Sequence, residues 1–173
     1  MSVVSERLQM EPVEEGDLEF YRRFLKDSDL TRWLPVNEPC PDHEIRLHHS
    51  RRIAHWEAYG FGTWILRPLG GGEALGYCGL ETVPETPFVD LRYGLLSEAQ
   101  GKGLALEAAR AVLTRGFRDL KLGRIYGAAM HENRASVALL MALGMTADPT
   151  FDAYGANLFN ASVDGDAFFS TLT

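Results

Sequence analysis

The first half of the chain alternates apolar and polar residues over short segments, a pattern typical of β-strands. Glycine and proline residues separate these segments and predict tight turns, so the last three segments form an antiparallel meander. The predicted strands cover residues 7–13, 61–67, 74–83 and 88–96.

Two helices are predicted between the first strand and the meander. Asp17 precedes an apolar stripe at helical spacing and caps the first helix, and residues 28–41 form a loop. A second helix runs from Asp42 to Tyr59 and ends at Gly60. Its apolar positions are sparse, so we expect it to be half exposed.

The pattern changes after residue 100. Apolar residues then recur at i, i+3, i+4 and i+7 with charged residues between them, which predicts an amphipathic helix over residues 103–119. A strand, a buried helix that ends at Gly144 and a closing hairpin follow, at residues 124–130, 134–143, 145–154 and 156–163. A helix that joins two strands implies that they run parallel. The sequence thus predicts one α+β domain over residues 1–173, with a mixed sheet of about seven strands and about four helices.

Composition limits the classes of function. The 173 residues carry 24 acidic and 17 basic side chains, a net charge of −7 that argues against a nucleic-acid partner and mildly favours a cationic acceptor such as an amine. Two cysteines, Cys40 and Cys78, give no reason to expect a disulfide framework. Neither a signal peptide nor an apolar run of membrane length is recognisable, so we expect a soluble cytoplasmic protein without a membrane partner. The sequence leaves a homodimer open.

The strongest chemical signal is the segment Gln100-Gly101-Lys102-Gly103-Leu104-Ala105 between a strand and a helix. The first turn of a helix has amides without an intrahelical partner and the positive end of the helix dipole. Glycine lets the backbone approach an anion, and lysine adds a cation. The segment therefore predicts a phosphate or pyrophosphate site. Walker and dinucleotide glycine patterns are absent from it, which disfavours nucleotide triphosphatases and dinucleotide folds.

Gln100, Gly103 and Ala105 form a Gln-x-x-Gly-x-Ala motif that resembles the acetyl-coenzyme A signature of the GNAT N-acetyltransferases. The run at residues 90–95 and the later Asn133-Arg134-Ala135-Ser136, followed by Gly144-Met145, are similar to the RimJ/RimL-like branch. The resemblance implies the GNAT fold and acetyl-CoA as cosubstrate, without a metal. It implies that the cofactor contacts the loop residues Gly101, Lys102 and Leu104 besides the motif, and also Asn133 and Ser136.

In this family the fourth and fifth strands splay apart and the pantetheine arm lies in the gap. By resemblance the backbone of Tyr93, Gly94, Leu95 and Leu96 holds the arm, and an amide near Leu95 polarises the thioester carbonyl. Gly94 in the middle of a strand suggests a bulge. The reaction implied is direct attack by a primary amine, from a protein N-terminus or a small molecule, in a ternary complex.

The acid and base that this reaction needs are less well defined. Asp90 and then Glu81 are the candidate bases by resemblance, and Ser136 is the candidate acid. Leu140 occupies the position of the tyrosine that many family members use as the acid, and Tyr154 is a distant alternative. That replacement keeps open a non-catalytic acyl-CoA-binding module.

We expect no chemical role for the other reactive side chains. Cys78 reads as a strand thiol without a chemical role. We expect His48, His49 and His55, which lie on one predicted helix, to be surface or packing residues. None of them has a second histidine at i, i+4, the spacing of a metal-binding pair on a helix.

Overall fold

One mixed sheet of eight strands forms the centre of the protein, for which a computed structural model describes residues 1–173. Numbered along the chain, the strands lie side by side in the order β1-β2-β3-β4-β5-β6-β8-β7, so β1 and β7 are the edge strands. Every pairing is antiparallel except that of β5 with β6. The strands are β1 (Val3–Val4), β2 (Leu8–Pro12), β3 (Thr63–Pro68), β4 (Gly76–Thr82), β5 (Val89–Leu95), β6 (Ile125–Ala129), β7 (Thr146–Ala147) and β8 (Phe159–Val163).

Six α-helices cover the two faces of this sheet. They are α1 (Leu18–Leu25), α2 (Ser28–Thr31), α3 (Asp42–Tyr59), α4 (Leu104–Arg118), α5 (Arg134–Ala142) and α6 (Gly165–Ser170). The first three pack on one face and the last three on the other, which divides the core into two clusters. No helix combines the length and the apolar character that crossing a membrane needs.

Strand alternation explains why there are two clusters. Successive side chains of a strand point to opposite faces, so Trp64 and Leu66 pack with α4 while Ile65 packs with α1 and α3. On α4 the helical stripe buries Ala108 and Val112 completely. Burying this apolar area removes it from water and is the main force that holds the helix on the sheet.

The strands β5 and β6 separate along their length. β4 and β5 make an unbroken register from Gly76↔Leu95 to Thr82↔Val89. In contrast β5 and β6 share a single pair, Asp90↔Tyr126. The splayed strand pair that the resemblance implies is therefore confirmed.

The bulge expected at Gly94 is wrong, because the register of β5 against β4 has no interruption. A Cβ at this position would lie 2.5 Å from Cζ of Phe24 and 2.8 Å from Cε1 of Tyr77. Gly94 is needed because α1 packs its aromatic side chains directly against the strand.

Several element predictions need correction. The sheet has eight strands rather than about seven, and there are six helices rather than about four. α2 lies inside the predicted loop, and β1 and α6 lie outside every predicted element. Of the predicted strand 145–154 only Thr146–Ala147 pairs, since the following turns fold back and bury Phe151 among aromatic rings.

Candidate active site

The phosphate-binding loop predicted from the sequence lies between β5 and α4. Gly101 and Gly103 have φ angles of 75° and 77°, in the left-handed region that favours glycine. Gly103 directly precedes α4. The backbone amides from Gly101 to Leu106 donate to no acceptor within the protein, so they form a continuous row of free donors at the positive end of the helix.

Side chains hold this loop against the rest of the fold. The Gln100 side-chain amide donates to the carbonyl of Leu95 at 3.0 Å, which ties the loop to the end of β5. Arg7 donates to the carbonyl of Lys102 at 2.8 Å and to Glu107 of α4 at 2.7 Å. The loop is therefore anchored from both sides, whereas its amides stay open.

The gap between β5 and β6 begins beside the loop. Residue pairs of an antiparallel ladder alternate between pairs that exchange hydrogen bonds and pairs that do not. The Val83 amide donates to the Phe88 carbonyl at 2.9 Å and the Leu96 amide donates to the Leu75 carbonyl at 2.9 Å, which shows that these two pairs of β4 and β5 are hydrogen-bonded ones. By this alternation the amides of Tyr93 and Leu95 point away from β4 and into the gap. These N–H groups are available to a ligand that lies between the strands.

A pair of hydroxyl groups lies on the α5 side of the gap. The Tyr93 hydroxyl makes a short hydrogen bond with Oγ of Ser136, in the first turn of α5. Burial raises the pKa of Tyr93 to about 12. Asn133 caps the helix, because its side chain accepts from the Ser136 amide at 3.3 Å. Leu140 is fully buried one turn further along, so it contributes no proton donor.

The two candidate carboxylates lie on the opposite face, under α3, in an ionic cluster. Glu81 Oε2 accepts from Arg52 at 2.6 Å and from Arg92 at 2.7 Å, and its Oε1 accepts from Thr63 at 2.7 Å. Its side chain is only 2% exposed. Glu81 therefore serves as the counter-ion of two arginines, and none of its oxygens is left without a donor.

Asp90 belongs to the same cluster through Arg92. Its Oδ1 accepts from Arg92 Nε at 3.0 Å and its Oδ2 accepts from the Tyr154 hydroxyl at 2.5 Å. Burial raises the pKa of Asp90 above its usual range, although Arg92 opposes the shift. Burial alone would lower the pKa of Arg92, but the charges of Asp90 and Glu81 raise it, so the guanidinium stays charged.

Sequence reasoning missed Arg52 and Arg92 and underrated Tyr154. A local signal existed for Arg92, because residues two apart in a strand share a face and Asp90 had been singled out. No local signal pointed to Arg52, which reaches the cluster from α3. The loop between β7 and β8 likewise brings Tyr154 to Asp90 over 64 positions of sequence.

The remaining reactive side chains are occupied or buried. Cys40 and Cys78 are free, and burial raises the pKa of the Cys78 thiol far above its usual range, so it is a poor nucleophile. His49 contacts the Glu14 carbonyl at 2.8 Å and His55 contacts the Phe61 carbonyl at 2.8 Å, as packing residues do. No group of three or more His, Cys, Asp or Glu side chains is arranged to hold a metal ion.

A row of free amides, an open strand gap and flanking hydroxyl and carboxyl groups form a site suited to a phosphate-bearing ligand with an extended arm. Known proteins resemble the chain over most of its length. Residues 7–146 match the acetyltransferase (GNAT) domain family. The chain is 27% identical over 154 residues to the FsC-acetyl coenzyme A-N(2)-transacetylase of Aspergillus fumigatus, and the match covers 84% of this chain but 65% of that protein.

Solved structures show the same fold. An acetyltransferase from Agrobacterium tumefaciens superposes with a TM-score of 0.85 at 24% identity, over 94% of each chain. RimJ from Mycobacterium smegmatis, solved in complex with CoA-disulfide, gives a TM-score of 0.76 at 18% identity, over 96% of this chain and 88% of that one. The family match over most of the chain, together with the shared fold, shows that the protein belongs to the GNAT family of acetyltransferases.

Proposed function

We propose that the protein is an acetyl-CoA-dependent N-acetyltransferase that moves an acetyl group to a primary amine by direct attack in a ternary complex. The observation that carries the proposal is the row of free amides from Gly101 to Leu106 beside the open gap between β5 and β6. The amides bind the pyrophosphate together with Lys102, and Gln100, Gly103 and Ala105 keep the loop in the conformation that exposes them.

The pantetheine arm lies along β5 in this proposal. The outward amides of Tyr93 and Leu95 bond to its peptide groups as a neighbouring strand would, with Gly94 and Leu96 completing the backbone surface. The amide of Leu95 then polarises the thioester carbonyl, because an N–H donor stabilises the negative charge that develops on this oxygen during attack. Asn133 and Ser136, at the start of α5, lie on the other side of the arm.

The attacking amine needs a base, because an alkyl ammonium has a pKa of about 10.4. Asp90 is the better of the two candidates. Its raised pKa makes it a stronger base than an ordinary carboxylate, and its Oδ2 is held only by Tyr154, which lies on a partly exposed loop. Glu81 is a weaker candidate because Arg52 and Arg92 share one of its oxygens.

The departing thiolate needs a proton. Ser136 is the proposed donor, and the Tyr93 hydroxyl that bonds to it supplies the proton in turn. We also propose that the protein belongs to the RimJ/RimL-like branch, because Asn133, Ser136 and Gly144-Met145 resemble the motif of that branch. The acceptor is accordingly a protein N-terminus or a small amine, and the two free cysteines are compatible with action in the reducing cytoplasm.

The cofactor site is tested by replacing Gly103 with leucine. A side chain at φ 77° is strained and stands beside the amide row, so we expect acetyl-CoA binding to be lost in a calorimetric titration while circular dichroism stays unchanged. Gly123→Leu is the matched control, because a Cβ there meets open space and the residue lies outside the loop. Unchanged affinity of Gly103→Leu would contradict the pyrophosphate assignment.

The alternative is a non-catalytic acyl-CoA-binding module. It is favoured by Leu140, which fills the position of the usual acid, and by the occupied oxygens of Glu81 and Asp90. Thiol release from acetyl-CoA, measured with a panel of primary amines, separates the two functions. Turnover on any amine above the rate of hydrolysis supports the enzyme, whereas tight acetyl-CoA binding without turnover supports the module.

A further inference from the structure

Two guanidinium groups converge on the face of the sheet that α1 and α3 cover. Arg92 of β5 and Arg52 of α3 donate to the same oxygen, Oε2 of Glu81, at 2.7 and 2.6 Å. The Glu81 side chain is 2% exposed, whereas those of Arg52 and Arg92 are 20% and 21% exposed. The carboxylate is therefore covered, and the two cations form the surface that solvent reaches.

The two arginines differ in how many of their donors are used. Arg92 also donates to Asp90 and to Tyr154, so three of its nitrogens have partners. Arg52 makes one hydrogen bond, to Glu81, and its Nε and Nη2 neither bond to the protein nor lie sealed from solvent. Arg52 thus presents a free edge of a planar guanidinium, which is the geometry that pairs with a carboxylate.

The cluster contains two arginines and two carboxylates, so its formal charge is zero and it does not share the net charge of −7 of the whole chain. Glu81 accepts three hydrogen bonds and each oxygen of Asp90 accepts one, whereas Arg52 keeps two nitrogens without a partner, so the unused donors of the cluster belong to a cation. His48 lies one helical turn before Arg52 and carries no negative charge that could pair with it. Burial and the charge of Arg52 lower its pKa, as expected in a positive field.

Arg92 and its neighbours lie close to the reacting end of the proposed cofactor site. The strand rises by roughly 3.3 Å per residue, so Arg92 is about 10 Å along β5 from the Leu95 amide. A Cβ at Gly94 would contact Phe24 and Tyr77, and Gly94, two residues from Arg92 in the strand, faces the same side of the sheet as Arg92. Arg92, and Arg52 beside it, therefore lie roughly 10 Å from the thioester along β5, a distance that an acceptor with several bonds between its amine and a second group can span.

We propose that Arg52 binds a carboxylate on the acceptor, so that the substrate is an amino acid-like molecule that carries both a primary amine and a carboxylate. This inference rests on the proposed acetyl transfer to an amine. Within that function it selects small amino acids over polyamines, which lack an anion, and over protein N-termini, which have an amide in place of the carboxylate. Arg52 is then the residue that determines acceptor specificity.

Matched acceptor pairs test the inference in the thiol-release assay at saturating acetyl-CoA. The pairs are alanine and ethylamine, phenylalanine and phenethylamine, and lysine and cadaverine, and phenylalaninamide represents a peptide N-terminus. We expect kcat/KM for the amino acid to exceed that of its decarboxylated partner by about tenfold or more in at least one pair. Arg52→Gln should remove this preference through an increase in KM for the amino acid, with a smaller change in kcat.

Arg51→Gln is the matched control, because Arg51 is exposed on the same helix and its side chain makes no hydrogen bond to the protein. It should keep the preference for the carboxylate. The inference is overturned if the decarboxylated amine or the amide is used as well as the amino acid in every case, or if Arg52→Gln keeps the preference.

A second measurement separates this inference from the proposed function. The same amino acids are titrated calorimetrically into the protein saturated with CoA. Binding that Arg52→Gln weakens, without turnover on any acceptor, would support the carboxylate site and reject the acetyltransferase function. If no amino acid binds and no acceptor is turned over, the carboxylate site is overturned. Intact CoA binding would in that case still support the cofactor site.

Discussion

Replacing Glu81 with glutamine tests whether this residue holds the fold together or takes part in the chemistry. The change keeps the shape of the side chain but removes the one negative charge that Arg52 and Arg92 share. The side chain is 2% exposed, so little water is available to solvate the two cations that remain. Breaking a buried ion pair by neutralising one partner costs about 3–5 kcal/mol of unfolding free energy.

The assay is equilibrium unfolding in urea, followed by tryptophan fluorescence. With a slope of roughly 2 kcal/mol per molar urea, the loss corresponds to a midpoint lower by about 2 M. Asp119→Asn is the control, because the Arg115–Asp119 pair lies at the surface, with 60% of the Asp119 side chain exposed. Such pairs contribute little, so its midpoint should stay where it is.

Two results would refute the assignment of Glu81 to stability. One is a midpoint that shifts by less than about 0.5 M in Glu81→Gln, which would mean that the cluster is not a net support of the fold. The other is an unchanged midpoint combined with a large loss of kcat in the thiol-release assay. The second result would return Glu81 to the role of general base.

Three further changes test the neighbouring parts of the site. Gly94→Ala places a methyl group 2.5 Å from Phe24 and should lower the unfolding free energy by about 1–3 kcal/mol, measured by thermal or urea unfolding. Tyr154→Phe removes a hydrogen bond to ionised Asp90, so the pKa of Asp90 rises further and the acidic limb of the kcat/KM profile moves to higher pH; an unmoved limb would exclude Asp90 as the base. Ser136→Ala should lower kcat by about a hundredfold with a smaller rise in the dissociation constant of acetyl-CoA, and an equal loss in both would show that Ser136 acts through cofactor binding alone.

The proposed cofactor end of the site could be predicted from the sequence because its geometry is local. Positive φ angles at Gly101 and Gly103 follow from two glycines at the start of a helix, and free amides follow from the helix terminus itself. The same reasoning found the cap at Asn133, where one side chain serves the amide three residues ahead. Each of these features needs only neighbours within one turn of chain.

The acceptor end could not be predicted in this way. Asp90 and Glu81 were recognised as carboxylates near the site, but their ionisation and availability depend on Arg52 and Tyr154, which arrive from α3 and from the loop between β7 and β8. Strand alternation places Arg92 on the face of Asp90, and only the packing of α3 adds the second cation. Gly94 was misread for a related reason, since the aromatic contact that requires glycine comes from α1.

The sequence by itself determined the order of the main elements, the membership of the GNAT fold and the loop that we propose binds phosphate, because periodicity, glycine placement and helix termini act over a few residues. Tertiary structure decided the short edge elements, the aromatic packing against Gly94 and the pairing of charges around Glu81 and Asp90. Those properties arise where segments far apart in the chain exclude water together, and burial is what turns four ordinary charged side chains into a coupled cluster.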